Sequence, residues 1–354
     1  SRWHVANVVK TNCCYPTSSI VLLAGVLSAA AFFSASAEIT VDGSLGGTGG
    51  PLDKLNNDYQ ITEDLGQIRG SNLFHSFGQF NLNTGESATF TGPSPIENIL
   101  GRITGGSASE IDGTIRSSYP GANLYLMNPA GILFGPNATL DLKGSFHATT
   151  ADYLKLSDGV RFTAAPVAGA VLTSAPPEAF GFLGQSPASI SVDRSALEVP
   201  TAETISFVGG GIDIAGGPSG QLAAGSGVIS LASLRSPGEA EITNKGVDVD
   251  SFSRRGNIKL TENASISVQD TVPGEPGAGS IYIRGGEFVA SDSTLIASTF
   301  DGTGGVLDID VSGNITLQSS SSIASGSTGT GRSPDINLVA GGAIALTESS
   351  EVFT

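Results

Sequence analysis

Alternating apolar residues recur in the second half of the chain at a coarse, nearly regular interval, and that recurrence limits the fold more than any other feature. Ile258 and Leu260 follow Gly256, Ile281 and Ile283 follow Gly279, Leu307 and Ile309 follow Gly305, and Ile336 and Leu338 follow Pro334, so the starts lie 23, 26 and 29 residues apart. Secondary runs of the same form, Ile266 with Val268, Ile315 with Leu317 and Ile344 with Leu346, fall between them. Period two places alternate side chains on one face of a strand, and a repeat longer than about 20 residues marks a solenoid. One such unit cannot bury its apolar face alone, whereas units stacked about 4.8 Å apart share a continuous core and pair every strand above and below. The expected fold is therefore all-β, a parallel β-helix. At roughly 20 to 25 residues per coil, the chain predicts about 13 to 15 coils and a rod on the order of 60 to 75 Å long. A sandwich or propeller competes less well, because Asn-Gly hairpin turns are missing and insertions such as Asp270–Gly279 suit the outward loops of a solenoid.

Composition agrees. With 48 Gly in 354 residues and 14% charged residues, long helices are disfavoured, since each interior Gly costs about 1 kcal/mol relative to Ala. The 39% hydrophobic share is enough for a core. A formal net charge of −16 repels nucleic-acid phosphates and anionic lipid, so no nucleic-acid partner is expected.

Residues 1–37 read as an export signal: Arg2 and Lys10, an uncharged run from Ile20 to Phe33, and the small-residue site Ala35-Ser36-Ala37. The run is too short to span a bilayer, which takes about 20 residues. Cleavage there starts the mature chain at Glu38 and removes Cys13, Cys14 and Trp3. A chain without cysteine forms no disulfide, which suits threading a second membrane unfolded; chance absence explains it equally well. The pattern breaks off at Glu351 to Thr354 without a capping turn, so a continuation is expected.

A denser block precedes the repeats. It runs from Ile39-Thr40-Val41-Asp42-Gly43-Ser44-Leu45-Gly46 through Gly70-Ser71-Asn72-Leu73-Phe74-His75-Ser76-Phe77 to Ala122-Asn123-Leu124-Tyr125-Leu126-Met127-Asn128-Pro129-Ala130-Gly131-Ile132-Leu133-Phe134-Gly135, and closes with Gly144 to Asp152. In these residues the chain resembles the N-terminal secretion domain of filamentous-haemagglutinin-like (TpsA-type) proteins, the exported partners of two-partner secretion systems. The resemblance implies a right-handed parallel β-helix with an N-terminal cap. It also implies a partner, a dedicated outer-membrane β-barrel transporter whose periplasmic domains recognise the chain and pass it through unfolded. The family's N-P-N-G-I signature maps onto Asn128, Pro129, Ala130, Gly131 and Ile132, with Ala at the third position where the family has Asn. An earlier asparagine motif is matched by Asn72 and Leu73. These residues also have a local reading, because Asn-Pro followed by Gly sets a turn ahead of the strand begun by Ile132. The organisation expected is a signal at 1–37, a secretion domain at 38–165, an irregular connector or insertion within the solenoid at 166–200, and β-helical repeats over 201–354.

No catalytic motif stands out. The nearest carboxylate group, Asp301, Asp308 and Asp310, reads as a solvated face, with Asp308 and Asp310 outward if Leu307 and Ile309 face the core. His75 and His147 lack a metal-spaced partner and read as packing residues. No metal or cofactor is expected. The resulting expectation is a non-enzymatic adhesin, secreted or surface-exposed, that passes the periplasm and outer membrane and takes a host or surface glycan or protein as its receptor. The alternative is a secreted β-helix polysaccharide lyase or hydrolase.

Overall fold

The computed structural model describes residues 38–218, 220–270 and 277–354, so the export signal and most of the 270–279 insertion lie outside the described residues. Strands occupy most of what remains, with a single 3-10 turn at Glu63–Leu65 among the described residues. Three faces build a parallel β-helix. The long face stacks nine parallel strands: Asn72–Phe80, Asn98–Ile103, Asn123–Met127, Phe146–Thr149, Thr204–Gly209, Val228–Ser233, Ser280–Gly285, Val306–Val311 and Asp335–Ala340. A second face stacks eight shorter strands from Ser109–Ile111 to Ile344–Leu346. The third runs as a five-stranded and then a six-stranded sheet, ending at Glu351–Phe353.

In-register stacking carries the core. Leu73, Ile99, Leu124, Phe146, Ile205, Ile229, Ile281, Leu307 and Ile336 succeed one another along one column of the long face. All are buried, and most have no exposed surface. Full burial of each such side chain contributes about 1.5–3 kcal/mol, and the pairing satisfies their backbone groups at the same time.

The nine rungs of the long face among the described residues, fewer than the 13 to 15 coils expected, make a stack about 40 Å long at 4.8 Å per rung. Part of the difference lies in the residues upstream of the first rung and in rungs that start 23 to 29 residues apart, and the rest in two excursions, at residues 150–188 and 234–257, that leave the coil. Their strands Tyr153–Leu156, Arg161–Thr163, Pro177–Phe182, Gly238–Thr243 and Gly246–Asp248 form one antiparallel sheet laid over the outside of the long face. The second excursion also shifts the repeat. Ile258–Thr261 belongs to the second face and stacks on Phe288–Ser291, rather than aligning with the runs from Gly279, Gly305 and Pro334.

The coil has a closed upstream end. Ile39–Val41 pairs antiparallel with the downstream half of Asn72–Phe80, and Gly66–Arg69 pairs antiparallel with its upstream half. Both halves of the first rung are thereby covered by strands of opposite direction, which blocks further parallel growth there.

Candidate functional site

Asn72, the first residue of the first rung, has no exposed surface. Its amide nitrogen donates to the carbonyls of Thr173 (3.1 Å) and Ala175 (2.8 Å), both in the first excursion. Its Oδ1 accepts from Nδ2 of Asn98 at 3.0 Å, and Asn98 Oδ1 accepts from Nδ2 of Asn123 at 3.4 Å. Asn123 Oδ1 accepts the backbone N–H of Ser145 (3.0 Å), whose hydroxyl donates to Glu203 at 2.6 Å and accepts from Thr204 N–H. Parallel register places these residues one above another at the start of successive rungs, and stacked amides bond along the column. Leu73 points the other way, into the core.

Asn128 stands at the opposite margin of the long face, just beyond the strand Asn123–Met127, and shares no hydrogen-bond partner with Asn72. It is also buried. Its Oδ1 accepts the Ala130 N–H (3.0 Å), and its Nδ2 donates to the Ser107 carbonyl and Ser109 Oγ, both at 3.0 Å. The Gly131 N–H closes the turn onto the Asn128 carbonyl at 3.0 Å. Gly131 has φ +116°, a region that side chains disfavour, and Pro129 fixes the residue before it. Ile132 enters the core as the first residue of Ile132–Phe134. Ala130 contributes only its backbone N–H to this turn, so the turn forms without an amide side chain at the third position.

The first excursion, which supplies the Thr173 and Ala175 carbonyls, helps to make Asn72 inaccessible, whereas Asn128 is held by its own turn and by Ser107 and Ser109 of the coil. Leu154, Phe162, Phe180 and Phe182 on the underside of the antiparallel sheet pack on Phe74, Leu100 and Tyr125 of the rungs, forming a second hydrophobic core outside the coil. Gly181 lies across from Tyr153, whose ring occupies the space a Cβ would need. Arg102 is buried beneath the sheet. Its Nε donates to Ser76 Oγ (2.7 Å), one terminal nitrogen to the Thr163 carbonyl (2.8 Å) and the other to Ser44 Oγ (3.0 Å), with the Phe162 ring 4.8 Å from the guanidinium. Burial lowers its pKa, and the nearby Asp42 opposes that shift. Burial also works against the Asp42 carboxylate, but donation from Ser76, Ser44 and Thr104 outweighs it and holds the group below its ordinary value. Beside the Asn128 turn lies a mainly apolar groove of about 360 Å³, lined by Ile103, Pro129, Ala130, Thr163, Val167 and Leu183 among others.

His75 and His147 also belong to this region. His75 packs against the rings of Phe77 and Phe90, and His147 stacks on Tyr125 with ring centres 4.3 Å apart. Burial lowers their pKa values to about 4 and about 3, so both are neutral in the folded chain near pH 7.

Asn98, Arg102 and the covering sheet were not among the residues the sequence pointed to, and Asn123 stood only within the block that carries the resemblance, not as a site residue. Asn72, Asn98 and Asn123 nevertheless recur at intervals of 26 and 25 residues, the length of one coil, and that spacing is the signal that could have found the ladder. On the far half of the rod, Asp308 faces Arg284 (3.2 Å) and Asp310 faces Arg255 (3.5 Å), both on the outside of the coil, while Asp301 accepts from Thr330. No group of three or more metal-ligating side chains occurs among the described residues.

The family model of the TPS secretion domain matches residues 37–283. No curated protein matches the chain. Eight solved chains do. The HMW1 secretion domain from Haemophilus influenzae is 16% identical over 85% of this chain and 80% of its own, with a TM-score of 0.51, a likeness of fold. The filamentous hemagglutinin secretion domain is 17% identical over 88% of this chain and 99% of its own, with a TM-score of 0.39.

Proposed function

Because the chain belongs to the TPS secretion-domain family, whose members are exoproteins exported across the outer membrane by a dedicated transporter, we propose that Asn72, Leu73, Asn128, Pro129, Gly131 and Ile132 are the residues its transporter reads, and that it reads them before they fold. One observation carries the reading: in the folded coil both asparagine amides are buried and fully engaged. A partner that contacts these amides must meet them before these hydrogen bonds form. An extended segment presents its backbone and side chains to a sheet edge or groove of the transporter's periplasmic domains by strand addition. Coils then stack outside the cell, and each stacked coil opposes return of the chain. An export signal at 1–37 delivers it to the periplasm. The 38–165 block acts as the address and 201–354 as a stalk whose outer surface serves adhesion at the cell surface or after release; of the 166–200 connector between them, only residues up to 188 leave the coil, and Ser189–Asp193 and Ala196–Val199 rejoin it.

The test is export from cells that carry the transporter. Asn128→Ala lowers the amount of chain reaching the medium at least tenfold, while the purified variant refolds to the same β-rich spectrum. Unchanged export refutes the recognition role. Binding of the purified chain to cells and glycans, with no turnover of polysaccharides, separates adhesion from hydrolysis or lysis.

A further inference from the structure

The covering sheet is assembled from two excursions far apart in the chain. Phe180 and its neighbours pair on one side with Tyr153–Leu156 and on the other with Gly238–Thr243, Ala179 opposite Glu241 and Phe182 opposite Gly238. Neither excursion completes the sheet alone, and the second lies beyond the sixth rung. The rungs beneath depend on this sheet in a way the later rungs do not. Asn98–Ile103 is buried at every position, whereas Val306–Val311 alternates buried and half-buried. The sheet covers Phe74, Leu100, Tyr125 and Met127, and its first excursion supplies the Thr173 and Ala175 carbonyls to Asn72 and the Thr163 carbonyl to Arg102.

We infer that this sheet is a strap whose closure ends recognition: once residues through Asp248 are available, the second excursion holds the first down over the first rungs, and the first takes up the Asn72 amide and withdraws it from the transporter. The inference rests on the reading of Asn72 and Asn128 as the transporter's address. It adds the event that cancels that address. The same contacts join the upstream cap to the strap, because Arg102 spans Ser44, Ser76 and Thr163, so closure also fixes the first rung against the cap.

The experiment measures binding of the full chain to the transporter's soluble periplasmic domains, with hydrogen exchange on the same samples. Wild-type chain diluted from urea binds at once, and the refolded chain binds at least tenfold more weakly. Phe180→Ala removes the strap's main contact with the Tyr125 and His147 rings without touching any address residue. It loses protection over 153–182, keeps protection over 281–283, and after refolding recovers binding at least tenfold relative to wild type. Ala179→Pro, which breaks the ladder at the centre of the strap, serves as a second opening variant if Phe180→Ala stays closed. A variant whose strap is open but which binds no better than refolded wild type overturns the inference, and so does refolded wild type that binds as tightly as the unfolded chain. If the unfolded wild-type chain does not bind, the address itself is wrong and the functional reading falls with the strap.

Discussion

Acidification from pH 7.5 to pH 5 is expected to destabilise this fold through His75 and His147. Both imidazoles sit in the folded chain with pKa values lowered by burial, to about 4 and about 3. At His75 the Leu65 carbonyl and the Asp64 and Glu63 carboxylates pull upward without overcoming the burial. Unfolded, each returns to an ordinary value near 6.5. The sign follows from proton binding: the unfolded chain takes up protons below pH 6.5 that the folded chain refuses, so the stability is fully present above pH 6.5 and falls as pH drops towards 4. At pH 5 an unfolded imidazole is protonated about 30-fold over neutral, which makes each site's loss about 2 kcal/mol and the pair's about 4 kcal/mol. That is a large part of the roughly 5–15 kcal/mol that holds a typical domain together. Carboxylates held low in the folded state, such as Asp42 and Asp112, add to the loss only nearer their own unfolded values around 4, so the window from pH 6.5 to 5 isolates the histidines. Urea unfolding at a series of pH values measures it, and His147→Phe, which keeps a ring on Tyr125, should halve the slope in that window. Stability that is flat between pH 7.5 and 5, or a slope that His147→Phe leaves unchanged, refutes the assignment of buried neutral imidazoles.

Asn98→Ala strips Asn72 of a donor and Asn123 of an acceptor within a mostly buried column, and denaturant midpoints should report a loss of about 1–3 kcal/mol. Gly131→Val forces a β-branched residue into φ +116° and should cost about 1–3 kcal/mol, read by thermal unfolding. Ile281→Pro removes a ladder donor from a strand paired on both sides; the loss should be about 3 kcal/mol or more, with slower appearance of folded chain outside the cell in a pulse-chase. Asp308→Ala removes a partly exposed partner of Arg284 and should change stability by no more than about 1 kcal/mol, with polysaccharide turnover unaffected.

The inward half of the fold was legible because the later rungs alternate cleanly: Leu307 and Ile309 are buried while Asp308 and Asp310 are half-exposed outside. A strand covered on both faces carries no such alternation. Asn-Ile-Leu-Gly-Arg-Ile and Phe-His-Ala-Thr gave no period-two signal for that reason, and the sheet that covers them stayed hidden along with the shorter coil count. Gly256 misled for a related cause, because an excursion between Ser233 and Ile258 moves its run to a different face. At the site, the resemblance singled out Asn72 and Asn128, but nothing local marks Thr173 and Ala175 as the partners of Asn72. A hydrogen bond across about a hundred residues has no signature in sequence spacing.

The division between covered and bare rungs has a mechanical consequence. Drawn apart from its two ends, the far portion should unzip one turn at a time, each step freeing 26 to 29 residues or roughly 90–100 Å of slack. The near portion, its turns laced together by the outer sheet, should hold until it yields as a block. A force trace would then read as a short staircase ending in a single cliff, a tether that gives gradually at its tip and resists at its root.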